Sequence, residues 1–598
     1  MTSLPARAGS VFFGILLLAA GAVDGFSPFH LDVTERPLTT VALVAVCVAL
    51  AFTPPFRHVR RTFRGFMFGL SERAFLLLLF AAGVALYSWS SLFVLHGSPR
   101  LDDEVASIFQ ARIFSTGRVV LPLHPLARFF DVFGVLGAAA GRGHWCGMYP
   151  PGWPALLTPG VLLGAVGLVT PVLGGAMVVA TAQLGRELFG GRIGRMAGLF
   201  ALASPLVLVL AGTRLSHVAT ALFSCWCAVC VLRMLRTGRW GWGALAGGSF
   251  GMAFLCRPLT GLVIGAAIAL LVFVRWRDGL RAWRGIVAAL LLAAAAAGTL
   301  AAFQQATTGR WNLPGHVIAM GSRGRIGFGR LDASRTHTPA LGIEYSFRRL
   351  RALNDRLQGW PVGAFALMAI PWLAGRARWR DAWLLLPATG LLLVFLPFWY
   401  YEMYFPGRYI SEGAPMLFVL MARGWRELVR SIRRAGPAWR PLPAGLATAG
   451  CAFVLGVSNP AYLKPFHINY GDVEAVLPRV VETYGITNAV LFMDQIGLGT
   501  DMHDSRNKFY ATGFMRNDLA LTGDVIYARN MGATSPALMA YYPGRTYYLY
   551  RFDRTTSRAQ LYTVRQESDA YHLDPVPPRG DPWLEEAPPV EPVTVPQP

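Results

Sequence analysis

Lysine is almost missing from this chain. Of its 55 basic residues, all but Lys464 and Lys508 are arginine. An arginine by itself therefore says little, and only its position can argue for a role. Acids are also few: 33 Asp and Glu leave a net charge of +22. Charged residues make up only 15% of the 598, whereas 54% are hydrophobic and the mean hydropathy is +0.42. That balance excludes an ordinary soluble enzyme. In a soluble chain such a surplus of cations would point to nucleic acid. In an apolar chain the membrane accounts for it first, and no nucleic-acid partner is expected. Cysteine is scarce too: Cys47, Cys146, Cys225, Cys227, Cys230, Cys256 and Cys451. All but Cys146 fall in apolar runs, which excludes a disulfide framework, and no metal-ligand spacing is present. Cys225-Trp-Cys227 with Cys230 reads as small apolar side chains packed in a helix.

What the sequence does have is long apolar runs, of about 15–22 residues each, as far as about residue 458. Candidate spans lie near 10–23, 38–55, 74–95, 154–180, 197–212, 217–232, 241–256, 259–275, 285–303, 361–375, 382–398, 411–422 and 442–458. The first, "VFFGILLLAAGAV", reads as a retained helix rather than a signal peptide, because no convincing small-residue cleavage site follows. After about residue 460 polar and apolar residues alternate and no run is long enough to span. The expected fold is therefore mainly α: a polytopic helical membrane domain of about 13 transmembrane helices over 1–459 and a soluble α/β domain over 460–575. "NAVLFMD" and "TYYLYRFD" read as strands of that domain, and "YGITN", "YPGRT" and "GDVIYARNMG" as its turns. A Pro-rich tail, 576–598, is expected to be disordered.

The short loops then set the orientation. "RHVRRTFRG" near 57–65, "GRELFGGRIGR" near 185–195, "RMLRTGR" near 233–239, "RWRDGLRAWR" near 275–284, "GRARWR" near 375–380 and "RGWRELVRSIRR" near 423–434 are all basic, and they recur at every second loop. The positive-inside rule makes them cytoplasmic. The loop near 24–37, with Asp24, Asp32 and Glu35, then lies outside. So do "HGSPRLDDEVASIFQARIFSTGRVVLP", the loop 304–360, the segment near 399–410 and the C-terminal domain. The expected location is a bacterial inner (plasma) membrane, crossed many times, with an extracytoplasmic C-terminus.

Asp102, Asp103 and Glu104 stand together at the start of that first large outside loop. On a helix, Leu101, Val105, Ile108 and Phe109 share one face, and Asp103, Ser107 and Gln110 the other. That pattern predicts a helix lying on the membrane surface with its carboxylates turned away from lipid. The bland alternative is a solvated helix start, where acids favour the dipole.

Taken together, "DDEVASIFQARIFSTGR", "MYPPGWP", "ELFGGRIGRMAGLFALASP" and "FPGRYISEGAP" resemble the polytopic GT-C glycosyltransferases, in the branch of the protein O-mannosyltransferases and the lipid A aminoarabinose transferases. The resemblance covers about residues 74–430. It implies an enzyme (class 2.4) that takes a sugar from a polyprenyl phosphate and passes it, with inversion, to a lipid, glycan or protein acceptor at the extracytoplasmic membrane face. An acceptor hydroxyl is a poor nucleophile, so a general base must take its proton as the new bond forms. A neighbouring acid raises the pKa of such a base, because like charges resist joint ionisation. By position in the motif Asp103 is that base and Glu104 positions the acceptor or the helix. Asp102 is an extra acid here and leaves the base open among the three. The departing phosphate needs cations, and arginine matches it bidentately. The resemblance and the outside placement suggest Arg408 with Tyr409 of "GRYI", and Arg257 of "FLCRPLTG", as its ligands. Arg214 and His217 of "TRLSHVAT" and Tyr149 of "MYPPGWP" are candidates for the acceptor side.

The loop 304–360 is rich in glycine and arginine, which suits a gate over an anionic lipid donor; His316 and His337 are its weaker candidates. The C-terminal domain shows no complete catalytic constellation. No cofactor is called for; a divalent cation on outside carboxylates is the single candidate, and the sequence shows no full ligand set for it. Membrane lipids are expected partners. The rival readings are a transporter or flippase of lipid-linked glycans, or a non-catalytic glycolipid-binding membrane protein.

Overall fold

The structure is a computed structural model. It describes residues 37–137, 141, 143–332, 335–466, 470–471, 473–496, 510–532, 535–553, 555–567, 570–589 and 593–594. The span expected at 10–23 and the acidic loop near 24–37, apart from Pro37, lie outside the described residues.

The chain is mainly helical, and its helices are those of an integral membrane protein. By length and composition five described helical segments can cross a membrane: Glu72–Val94, Val166–Phe189, His217–Thr237, Trp283–Thr308 and Pro437–Phe466. The count of about thirteen is not reproduced on those terms. The run read as one span over 154–180 is two helices, Gly152–Leu162 and Val166–Phe189, parted by a turn in which Gly164 has φ +64°. Only glycine enters that region at little cost. The run 197–212 is likewise divided, into Gly191–Leu202 and Pro205–Leu210, with the Ser204 hydroxyl capping the second helix through the Val207 N–H at 3.3 Å. The helix expected at 411–422 instead runs from Ala414 to Arg434, straight through the basic stretch.

Ion pairs gather the basic loops at one end of the bundle. Arg186 meets Glu72. Arg233 and Arg236 both pair with Glu187, at 2.8 and 2.7 Å. Arg380 donates to the Leu188 carbonyl at 2.7 Å, and Arg376 pairs with Glu427 at 3.0 Å. Gly285, just after the 275–284 loop, packs on Met234 and Trp240. Loops far apart in sequence therefore share one face, as the alternation of charge requires.

The opposite end carries a six-stranded sheet with the order Val593–Thr594, Ala570–Pro575, Arg558–Glu567, Thr546–Asp553, Ala489–Ile496, Val525–Arg529. The Ala489–Ile496 strand is parallel to both its neighbours, Val525–Arg529 and Thr546–Asp553; the remaining pairs are antiparallel. Both expected strands are present. "GDVIYARNMG", expected as a turn, contributes the edge strand Val525–Arg529, because Val-Ile-Tyr prefers a pleated, half-buried surface. The tail is not wholly free. Leu584 and Ala587 are buried in the domain core, and the Glu585 N–H donates to the Ala559 carbonyl at 3.0 Å. Isolated apolar residues in a Pro-rich stretch can dock without any regular element.

The acidic helix, Asp102–Ser115, does not lie free on a surface. Val105, Phe109 and Ile113 belong to the core of the C-terminal domain, while Ile108 and Ala111 pack with Trp153 on the bundle side. Phe109 stacks obliquely on Phe514, ring centroids 5.0 Å apart, and Arg112 donates to the Asn517 carbonyl at 3.0 Å. Even Gln110, placed on the polar face, is fully buried: it donates to the Val119 carbonyl (2.9 Å) and accepts from the Gly147 N–H (2.8 Å). Buried amides need both kinds of partner, and here both are supplied. The C-terminal domain thus clamps the helix that bears the acids.

Candidate active site

The three adjacent acids have three different environments. Glu104 is fully buried and bonds to backbone only: Oε1 accepts from the Arg100 and Leu101 N–H groups (3.0 and 3.2 Å), Oε2 from the Arg214 N–H (2.6 Å). It serves as the third-position partner of a helix start whose first N–H groups lack helical acceptors. Burial pushes its carboxyl above the usual range, against the pull of Arg214 and of those N–H groups. Asp102 is buried and accepts from the Asp103 N–H at 3.0 Å. Asp103 alone of the three is partly exposed, with 27% of its side chain open.

Asp103 faces two groups that come from distant parts of the chain. The Tyr149 hydroxyl donates to its Oδ1, and the Arg408 Nη2 lies 3.5 Å from its Oδ2. Burial, then the charges of Asp103 and Asp102, hold the Tyr149 phenol well above its ordinary value, so it stays a donor. Arg408 is buried, with its guanidinium 5.2 Å from the Tyr409 ring and 5.8 Å from the Tyr400 ring. Its Nε and Nη1 have no hydrogen-bond partner among the described residues. A buried cation with donors to spare is costly unless a ligand supplies acceptors.

Local chemistry explains how Arg408 gets there. Gly407, at φ +86°, turns the chain into the short 3-10 turn Arg408–Gly413, which leads into the helix Ala414–Arg434 with Pro415 in its first turn. Phe405 takes φ +52°, which is strained for a bulky residue, and the Tyr470 hydroxyl accepts from its N–H at 3.0 Å. Upstream, Arg349 is buried against Glu402 (2.8 Å) and donates to the Phe395 and Tyr400 carbonyls (2.9 and 2.7 Å), which fixes the segment carrying Tyr400. The loop expected as a gate is fastened to this segment: Trp399 donates to the Arg323 carbonyl at 2.7 Å and Gly327 to the Pro397 carbonyl at 3.0 Å.

Arg257 reaches the same place from another direction. It is the junction between the helices Trp240–Cys256 and Pro258–Val274, where Pro258 starts a new helix. Its guanidinium lies 5.4 Å from the Tyr409 ring, so Arg257 and Arg408 share one aromatic side chain. Its Nε pairs at 2.9 Å with Glu412 Oε1, and the same oxygen lies 2.7 Å from His217 Nδ1. Glu412 is not among the candidates that the sequence motifs suggest. An acid inside "ISEGAPMLFVL" is costly in an apolar run, and that was the available signal. The structure thus brings together Asp103, Tyr149, Arg408, Tyr409, Arg257 and His217. It places Arg214 apart: its guanidinium donates to the Gly97 and Ser98 carbonyls at 2.7 and 3.1 Å. Among the described residues no three His, Cys, Asp or Glu side chains converge as metal ligands would.

Residues 156–302 match the family model described as dolichyl-phosphate-mannose-protein mannosyltransferase. No curated protein matches the chain. Among solved structures, ArnT from Cupriavidus metallidurans, in the apo state and bound to undecaprenyl phosphate, is 14% identical, with 81% of this chain and 94% of that chain covered and a TM-score of 0.47. The archaeal oligosaccharyltransferase AglB from Archaeoglobus fulgidus is 12% identical, with 80% and 70% covered and a TM-score of 0.42.

Proposed function

We propose that this protein transfers a sugar from a polyprenyl phosphate to an acceptor hydroxyl at the extracytoplasmic face of the membrane, with inversion at the sugar carbon. The observation that carries the reading is the meeting of Asp103 with Arg408, one partly exposed carboxylate and one buried guanidinium with unused donors, 3.5 Å apart. Inversion requires attack from the face opposite the leaving phosphate, so in the reacting complex the sugar carbon lies between the two groups and their direct contact opens to admit it. Asp103 takes the proton of the acceptor hydroxyl, whose oxygen forms the new bond to the sugar carbon. The bond from that carbon to the phosphate oxygen breaks, and the phosphate leaves with the electron pair. Arg408, with Tyr409 beside it and Arg257 across the ring, receives the charge. Tyr149 orients Asp103 on the acceptor side. Glu104 and Asp102 build the helix start that aims Asp103.

The family description matched by residues 156–302 names a lipid-phosphate sugar donor and a protein acceptor, which supports this class of donor. The direct test is transfer by the purified protein in lipid nanodiscs, supplied with polyprenyl-phosphate sugars, with a strain lacking the protein screened for the lipid-linked sugar that accumulates. A strain in which no such lipid accumulates, together with no transfer in vitro, would sink the proposal.

The face is tested separately. Cys146 is fully buried, so labelling the native thiol reads nothing. A cysteine placed at the exposed Gly143, with the exposed Cys451 replaced, and a reporter fused after residue 580 are both expected to report the extracytoplasmic side. Labelling of either from the cytoplasm overturns the orientation.

A further inference from the structure

Glu412 is a buried acid to which the proposed transfer gives no part. Its single oxygen Oε1 joins three separate elements. It belongs to the turn that carries Arg408, it pairs with Arg257 at a helix junction, and it meets His217 at the first position of a helix. Among the described residues Arg257 has few other restraints: its side chain is 21% exposed, and its Nη1 reaches the Ser216 hydroxyl at 3.4 Å. A guanidinium on a long flexible stem must be held if it is to bind the same point each time.

We propose that Glu412 is a positioning residue of the donor-phosphate site: by holding Arg257 at Nε, it keeps that guanidinium over Tyr409, where it faces the lipid phosphate together with Arg408. The inference rests on the reading of Arg257 and Arg408 as phosphate ligands. His217, on the same oxygen, fixes the carboxyl in turn. Because Glu412 and Arg408 share one short turn, a shift of either guanidinium is felt by the other. Among the described residues Glu412 Oε2 has no hydrogen-bond partner, so one oxygen does all the holding.

The test uses the full-length protein in nanodiscs and undecaprenyl phosphate as the probe, so that binding is read without turnover. Arg257→Ala and Arg408→Ala are each expected to weaken binding. Glu412→Leu, which removes the acceptor, is expected to weaken it on the order of tenfold, with no further loss when Arg257 is already alanine. Glu412→Gln keeps an oxygen in place but not the carboxylate of the ion pair, and should restore only part of the affinity. Wild-type affinity for Glu412→Leu, or a loss that adds in full to that of Arg257→Ala, overturns the inference. If neither arginine variant changes binding, the donor-site reading itself fails. Should Glu412→Leu lack a cooperative unfolding transition, Glu412→Asp takes its place: it withdraws the oxygen by one methylene, the same loss is expected, and wild-type affinity refutes the proposal.

Discussion

Asp103→Asn is expected to cut sugar transfer by about 10²–10⁴-fold and leave the protein folded. The amide keeps the size and shape of the carboxylate, and its oxygen can still accept from Tyr149. It cannot take a proton from the acceptor. The side chain is partly exposed, and its contacts here are with Tyr149 and Arg408 rather than with backbone N–H groups, so no helix start depends on it. Glu104 is the opposite case. Glu104→Gln places an amide N–H against one of the backbone donors that the carboxylate now satisfies, from Arg100, Leu101 and Arg214. The expected cost is about 1–3 kcal/mol of stability, with transfer falling only as folded protein is lost. Turnover per folded molecule, normalised by a cooperative unfolding signal, separates the two behaviours. A dead but fully folded Glu104→Gln beside an active Asp103→Asn would move the base to Glu104. Activity in both, and in Asp102→Asn, would remove general-base catalysis from the mechanism.

That contrast marks where the sequence could be read and where it could not. Three adjacent acids were plain in "RLDDEV", and so was their place in a loop after an apolar run. How their surroundings differ was hidden, because it depends on partners at distant positions: Arg408 for Asp103 and the Arg214 N–H for Glu104. The acidic helix misled for a related reason. Its second apolar contact, Phe109 on Phe514, is made by a domain that starts after the last span, and no local period announces it. Charge alternation was legible because it is a property of successive loops, and the ion pairs of Glu72, Glu187 and Glu427 join basic segments far apart in the chain. The break at Gly164 was hidden because both flanks are apolar, and hydropathy cannot distinguish a turn within an apolar run from a helix that passes through it. The strand Val525–Arg529 was concealed by the Gly and Asn residues around it, which read as a turn.

Arg408→Ala is expected to weaken polyprenyl-phosphate binding and to lower turnover as well, by about 10²–10³-fold for the loss of one preorganised donor group. Both effects follow from one fact: the phosphate is charged before transfer and gains charge as its bond to sugar breaks. A cation that only anchored the lipid would change affinity alone. Arg408→Lys tests geometry against charge. Lysine keeps the positive charge but not the planar fork, and it cannot lie over Tyr409 and Tyr400 as the guanidinium does. Partial recovery is expected, with affinity regained before turnover. The control matters in a chain so rich in arginine. Arg277 is exposed at the opposite end of the bundle, over Trp276, and Arg277→Ala should leave affinity and turnover unchanged. The Arg408 guanidinium also sits 3.5 Å from Asp103, so its removal changes the field on the base as well as on the phosphate. A double replacement separates the two. If Arg408 acts through the phosphate, undecaprenyl phosphate binding should fall equally in the presence and absence of Asp103→Asn. If it acts only by holding Asp103, the second replacement should add nothing to the loss of turnover, and binding should not change at all. Normal binding and turnover for Arg408→Ala would reduce Arg408 to a structural cation and leave the phosphate without its principal ligand.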